Sequence, residues 1–187
     1  MREMRPPGPQ PTETALHEAA LTHLARYATT EAGLIRVLRR RVDRWARAME
    51  AESEIVAALY ELCRVVARRL VTAGVVDDAA FAETRAASLT RAGRSRRAVA
   101  AHLQARGVSG EIADEALPQD GETELAAALA FTRRRRIGAF RREEVEADEM
   151  RAMGMLARAG FSRDVAMRAL HMEPEEAEML VTRLKQS

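Results

Sequence analysis

Leu103-Gln104-Ala105-Arg106-Gly107-Val108 is the stretch that decides the fold. It reads as the end of a helix: a leucine four residues before a glycine, then an apolar residue. Glycine takes the positive φ of a left-handed cap, and the apolar side chain that follows closes over the last turn. The ending recurs at Leu70-Val71-Thr72-Ala73-Gly74-Val75 and at Leu156-Ala157-Arg158-Ala159-Gly160-Phe161. One such ending is common in helical proteins. Three predict a repeated unit.

The agreement extends past the glycine. Ile112-Ala113 and Ala116-Leu117 stand at the same offsets as Val165-Ala166 and Ala169-Leu170. Both describe a short helix with an apolar edge. Another helix lies upstream of each glycine helix, so each unit is read as three helices. A unit this small cannot bury its apolar face alone and must stack on its neighbours. The predicted fold is all-α: tandem three-helix repeats stacked into a curved, elongated array. The repeats are placed at 13–80, 81–120 and 121–187, the last with an additional C-terminal helix, after a disordered Pro-rich tail over 1–12.

Helices are expected near 13–27, 30–49, 52–73, 78–92, 95–106, 110–117, 122–136, 143–159, 162–171 and 174–185. Gly93, Gly107, Pro118 with Gly121, Gly138, Gly160 and Pro174 mark most of the breaks. Composition agrees: 47% of the residues are hydrophobic, only 4% aromatic, and 31% charged. That leaves the core to Ala, Leu, Val and Met, with no period-two runs of β-branched residues to build a sheet.

Net charge is only +2, yet Lys185 is the one lysine among thirty cations. Arginine forks onto carboxylates and phosphates, so this surface suits acidic partners. In the first long helix Leu34, Leu38, Val42, Trp45 and Met49 form an apolar stripe. Arg36, Arg40, Arg44 and Arg47 follow two residues on, about 200° around the helix. They read either as a solvated face or as an anion-binding ridge. From Arg85 to Gly110 there are six arginines (Arg85, Arg91, Arg94, Arg96, Arg97, Arg106) and no acid. Arg94, Arg96 and Arg97 open a helix behind Ser95, a candidate N-cap, where cations oppose the dipole unless an anion binds there. Arg133, Arg134, Arg135 and Arg136 sweep about 300° and cannot all face one ligand. Glu143, Glu144, Glu146, Asp148 and Glu149 then reverse the sign.

Enzymatic signatures do not emerge. His17, His23, His102 and His171 have no partner at metal-ligand spacing, and neither a phosphate loop nor a nucleophile motif occurs. No catalytic residue, metal or cofactor is expected. Cys63 reads as a small core residue. The N-terminus has no apolar signal region and no segment is long and apolar enough to span a membrane, so the expected location is the cytoplasm.

Gly74-Val75-Val76-Asp77-Asp78, followed by Phe81-Ala82, resembles the signature of the RecX regulatory proteins. Arg91-Ala92-Gly93, Arg96-Arg97-Ala98-Val99, Leu103 and Gly107-Val108 continue the likeness, which runs from about Leu21 to Leu170. The resemblance implies tandem three-helix repeats and a modulator of the RecA recombinase. Such a modulator binds the groove of the RecA–DNA filament and suppresses strand exchange, ATP hydrolysis and LexA cleavage. Asp77, Asp78, Phe81 and Ala82 would then be structural, as a cap and a core contact. The site residues expected to face partner or DNA are Arg36, Arg40, Arg44, Arg85, Arg91, Arg94, Arg96, Arg97 and Arg133 to Arg136. The chain is read as a monomer that contacts the recombinase and, weakly, DNA. The alternative is a helical-repeat protein that binds DNA directly.

Overall fold

A computed structural model of the chain describes residues 8–141 and 148–186. Among these there are ten α-helices and one 3-10 turn, and no strand. The helices are α1 (Glu13–Leu24), α2 (Glu31–Met49), α3 (Ser53–Thr72), α4 (Asp78–Arg91) and α5 (Arg96–Arg106). They continue with α6 (Gly110–Glu115), α7 (Gly121–Arg135), α8 (Glu149–Arg158), α9 (Arg163–His171) and α10 (Pro174–Gln186). The 3-10 turn, Gly138–Phe140, was not anticipated. Of the helix expected over 143–159, residues 149–158 are helical; residues 143 to 147, with Glu143, Glu144 and Glu146, lie outside the described residues. So do residues 1–7 of the expected tail. Pro11 is buried and Thr12 caps α1 by accepting from the Ala15 amide.

The chain forms two compact units, 1–81 and 82–187. In the first, α1, α2 and α3 enclose Leu16, Leu34, Leu38, Val42, Leu59, Cys63, Val66 and Leu70. The apolar stripe of α2 is buried through Val42, half-buried at Trp45 and exposed at Met49, so the helix outruns its core. Burial pushes the Cys63 thiol up to about 11, mainly by desolvation, which leaves it protonated and unreactive near neutrality.

In the second unit, α7 is buried nearly all round over Leu125–Leu129, Phe131 and Thr132. Such a helix must be wrapped by others, and α9, α10 and the 3-10 turn pack on it. The short helices show the edges expected of them: Ala113 and Leu117 are buried, as are Ala166 and Ala169.

All three glycine endings are left-handed, with φ of +69° at Gly74, +91° at Gly107 and +94° at Gly160. In each, the amide after the glycine bonds back to the leucine carbonyl, at 2.9 Å to Leu70 and 3.1 Å to both Leu103 and Leu156. That is the Schellman pattern. Two details differ from expectation. Val75 is 48% exposed and Val76 is buried, because the first loop is one residue longer and the buried side chain is the one preceding the next cap. Val76–Asp77, Val108–Ser109 and Phe161–Ser162 all obey that rule, the apolar residue before the cap packing inward. Second, Gly74 ends a third helix, α3, whereas Gly107 and Gly160 end α5 and α8 and lead into short third helices. The position in the first repeat that matches them is Glu50, at the end of α2, also left-handed with φ 48°. Glycine and glutamate fill the same bend, so the sequence pattern slid by one helix.

The paired aspartates divide their work. Asp77 caps α4, accepting from the Ala80 amide at 2.9 Å. Asp78 accepts from the Glu31 amide at 2.8 Å and so caps the start of α2. Ala82 is fully buried and Phe81 half-buried.

Candidate functional site

The ends of α5, α7 and α8 meet in the second unit around the Gly93 turn. Gly93 is left-handed, with φ +74°, and the Arg94 amide bonds to the Leu89 carbonyl at 3.0 Å. Ser95 then caps α5: its hydroxyl accepts from the Ala98 amide at 3.2 Å and donates to the Ala159 carbonyl at 2.7 Å. This buried hydroxyl ties the start of α5 to the end of α8. Glu124 of α7 accepts from the Arg96 amide at 2.9 Å. Burial raises the Glu124 carboxyl above its ordinary value, against the lowering effect of the Arg96 amide and guanidinium. Cations at the head of α5 are therefore tolerated because carboxylate and hydroxyl satisfy that end from inside the fold.

An open groove of about 600 Å³ lies here, lined by Gly93, Arg94, Ala98, Phe131, Arg134, Arg135, Met155, Arg158 and Ala159. Four guanidinium groups surround it and none of its lining residues is acidic. Local contacts account for the positions of Arg134, Arg135 and Arg158. Arg134 donates to the Ala92 carbonyl. Arg134 and Arg135 flank the Phe131 ring, 5.9 and 5.6 Å from its centroid. Phe131 is itself held edge-on by Phe161 at 5.9 Å. Arg158 folds back along its own helix over Gly154, where an added Cβ would stand 3.2 Å from its Nη1.

The arginines read from the sequence thus separate into groups. Arg94, Arg134 and Arg135 reach the groove. Arg96 turns inward to the Gln119 side chain at 3.0 Å and the Pro118 carbonyl at 3.4 Å. The stem of Arg97 packs beside Gly160. Arg133 pairs with Glu178 at 3.0 Å. Arg136 adopts φ 56° as the cap of α7, the Ile137 amide bonding to the Thr132 carbonyl at 3.1 Å. Arg85 donates from Nε to His102 Nε2 at 3.2 Å, which requires the neutral ring with its proton on Nδ1. Burial, then Arg85, Arg106 and Arg94, holds His102 below its ordinary value. Arg91 is half-buried at the end of α4. Arg36, Arg40 and Arg44 belong to the first unit, where they lie exposed along α2. The inner flank of that helix carries Arg39 over the Tyr60 ring at 4.6 Å, with Tyr60 donating to Asp43.

Arg158 was missed from sequence. Its one signal was Gly154, a glycine inside a helix with no break, which marks a close approach. Among the described residues no group of three or more His, Cys, Asp or Glu is arranged to hold a metal ion. No helix there is long and apolar enough to cross a membrane.

Residues 77–117, which are α4 to α6 with their first cap, match the family description "RecX, second three-helix domain". The regulatory protein RecX of Myxococcus xanthus is 36% identical over 166 residues, covering 86% of this chain and 87% of that protein. The chain belongs to the RecX family of regulatory proteins. RecX of Thermobifida fusca is 35% identical over 176 residues, 91% of this chain and 86% of that one. The crystal structure of RecX from Lactobacillus salivarius aligns over 94% of this chain and 97% of its own, with a TM-score of 0.55 and 13% identity. At that identity the likeness shows the fold, and the fold is the all-helical one read from the glycine endings.

Proposed function

We propose that this RecX-family protein is a negative regulator of a RecA-type recombinase. It acts by binding, with no catalytic step and no cofactor, as a cytoplasmic monomer that docks in the groove of the RecA–DNA filament. There it obstructs entry of the second DNA and suppresses strand exchange, DNA-stimulated ATP hydrolysis and LexA cleavage. The single observation that supports this most is the groove of Arg94, Arg134, Arg135 and Arg158 with no carboxylate in its lining. A site of one sign, with the Arg134 and Arg135 guanidiniums held by internal contacts, favours an acidic protein face or phosphate. A filament offers the same face on every protomer, so modest contacts multiply. The test is strand exchange by purified recombinase with this protein added. Inhibition is expected, and full activity at saturating protein rejects the reading.

A second reading is direct DNA binding. It draws on α2, where Arg36, Arg40, Arg44 and Arg47 are all exposed and rise by about 4.5–6 Å per step along one face. Phosphate-driven binding falls steeply with salt, with a log–log slope of about 0.9 per phosphate neutralised. Tight binding to bare duplex and weaker binding to filaments would favour this reading over the regulator.

A further inference from the structure

Beside its four arginines the groove has an apolar lining, in which Ala98, Met155 and Ala159 are partly exposed and Phe131 is buried. A nucleic-acid strand would use aromatic faces for its bases, yet Phe131 is only 8% exposed, closed on one side by Phe161 and flanked by two guanidiniums. No stacking face remains. An acidic peptide carrying a bulky apolar side chain meets both chemistries: carboxylates accept from the planar guanidinium forks, and the apolar side chain packs on Ala98, Met155 and Ala159. One of the forks is braced from within, Arg134 by the Ala92 carbonyl, which reduces the ordering cost of binding.

We infer that the Arg94–Arg134–Arg135–Arg158 groove is a docking site for an acidic peptide segment anchored by one large apolar residue. This rests on the groove being a partner surface, as argued above, and adds which chemistry it selects. The probe is a short fluorescent oligoglutamate peptide with one central leucine, titrated into the full chain. Its comparators are the same peptide with serine at the centre and a single-stranded oligothymidylate of equal charge.

The leucine peptide is expected to bind about tenfold or more tightly than the serine peptide, the value of burying one leucine. The double variant Arg135→Ser with Arg158→Ser is expected to weaken it about tenfold or more while helical content is retained. Equal binding of the two peptides, no peptide binding, an unaffected double variant, or preferential binding of oligothymidylate would each overturn the proposal, the last in favour of a nucleic-acid site. The assay contains no recombinase. Peptide binding that persists in a protein unable to inhibit strand exchange would therefore reject the regulator and leave this inference standing.

Discussion

Gly93→Ala isolates what the groove owes to one missing methyl group. At φ +74° an alanine is strained, and its Cβ would stand 2.7 Å from the Phe131 amide nitrogen, 3.0 Å from the Ala130 carbonyl carbon and 3.1 Å from the Ala127 oxygen. All three atoms are backbone of α7, so no side chain can rotate away. The left-handed conformation costs about 1–2 kcal/mol and forced overpacking about 1–3 kcal/mol more. Stiffening of the unfolded chain returns about 0.4–1 kcal/mol. The net expectation is a loss of about 2–4 kcal/mol, or about 8–16 °C in Tm at about 4 °C per kcal/mol for a unit of this size. Gly74→Ala is the control: φ is +69°, yet no atom lies within 4 Å of the added Cβ. Strain acts alone there, and a loss of about 1 kcal/mol or less is expected.

Urea unfolding followed by far-UV circular dichroism measures both losses. Fluorescence of the lone Trp45 reports on the first unit separately. Should the units unfold in one transition, the two free energies can still be compared. Losses equal within about 0.5 kcal/mol, the usual scatter of surface substitutions, would refute the collision argument.

Arg136→Gly should stabilise the protein by about 0.5–1 kcal/mol, because glycine removes the cost of a left-handed arginine less its own unfolded-state entropy. Thermal unfolding checks this, and a destabilised variant would mean the Arg136 side chain contributes more than its backbone costs. Two carboxylates should give opposite pH dependences. Asp120 is held below its ordinary value by the Thr123 amide and hydroxyl, so its contribution is complete above the unfolded value and is lost as pH falls through the folded one. Glu124 is raised by burial, so its contribution is present below the unfolded value and is lost as pH rises through the folded one. Stability measured against pH should therefore flatten at the acid end in Asp120→Asn, and should decline less between mildly acid and neutral pH in Glu124→Gln. Unchanged profiles in both would rule out these causes.

Helix existence was legible along nearly the whole chain because each cue is local. Thr30, Ser95, Ser109, Asp120 and Ser162 cap the helices they precede, and Gly74, Gly93, Gly107 and Gly160 terminate theirs. Those cues do not say which turn is topologically equivalent to which, and Gly74 was aligned with the wrong helix end because Glu50 makes the same bend without glycine. The four arginines at 133–136 sweep around the end of α7 and have different surroundings. Their division among an ion pair, a carbonyl, the groove and a left-handed cap depended on neighbours 40 or so residues away in sequence, such as Ala92 and Glu178.

The sequence by itself determined the class of fold, the positions of its bends and the preponderance of guanidinium over ammonium. Spacing, capping and φ preference act within a turn or two, and a reader of the chain has all of that information. Only the tertiary structure decided which four arginines meet, that Asp78 and Glu124 cap helices other than their own, and that Gly93 lies against α7. Those facts follow from how separate helices pack, and packing is set by side-chain volumes and directions summed over the whole core, which no single stretch of sequence contains.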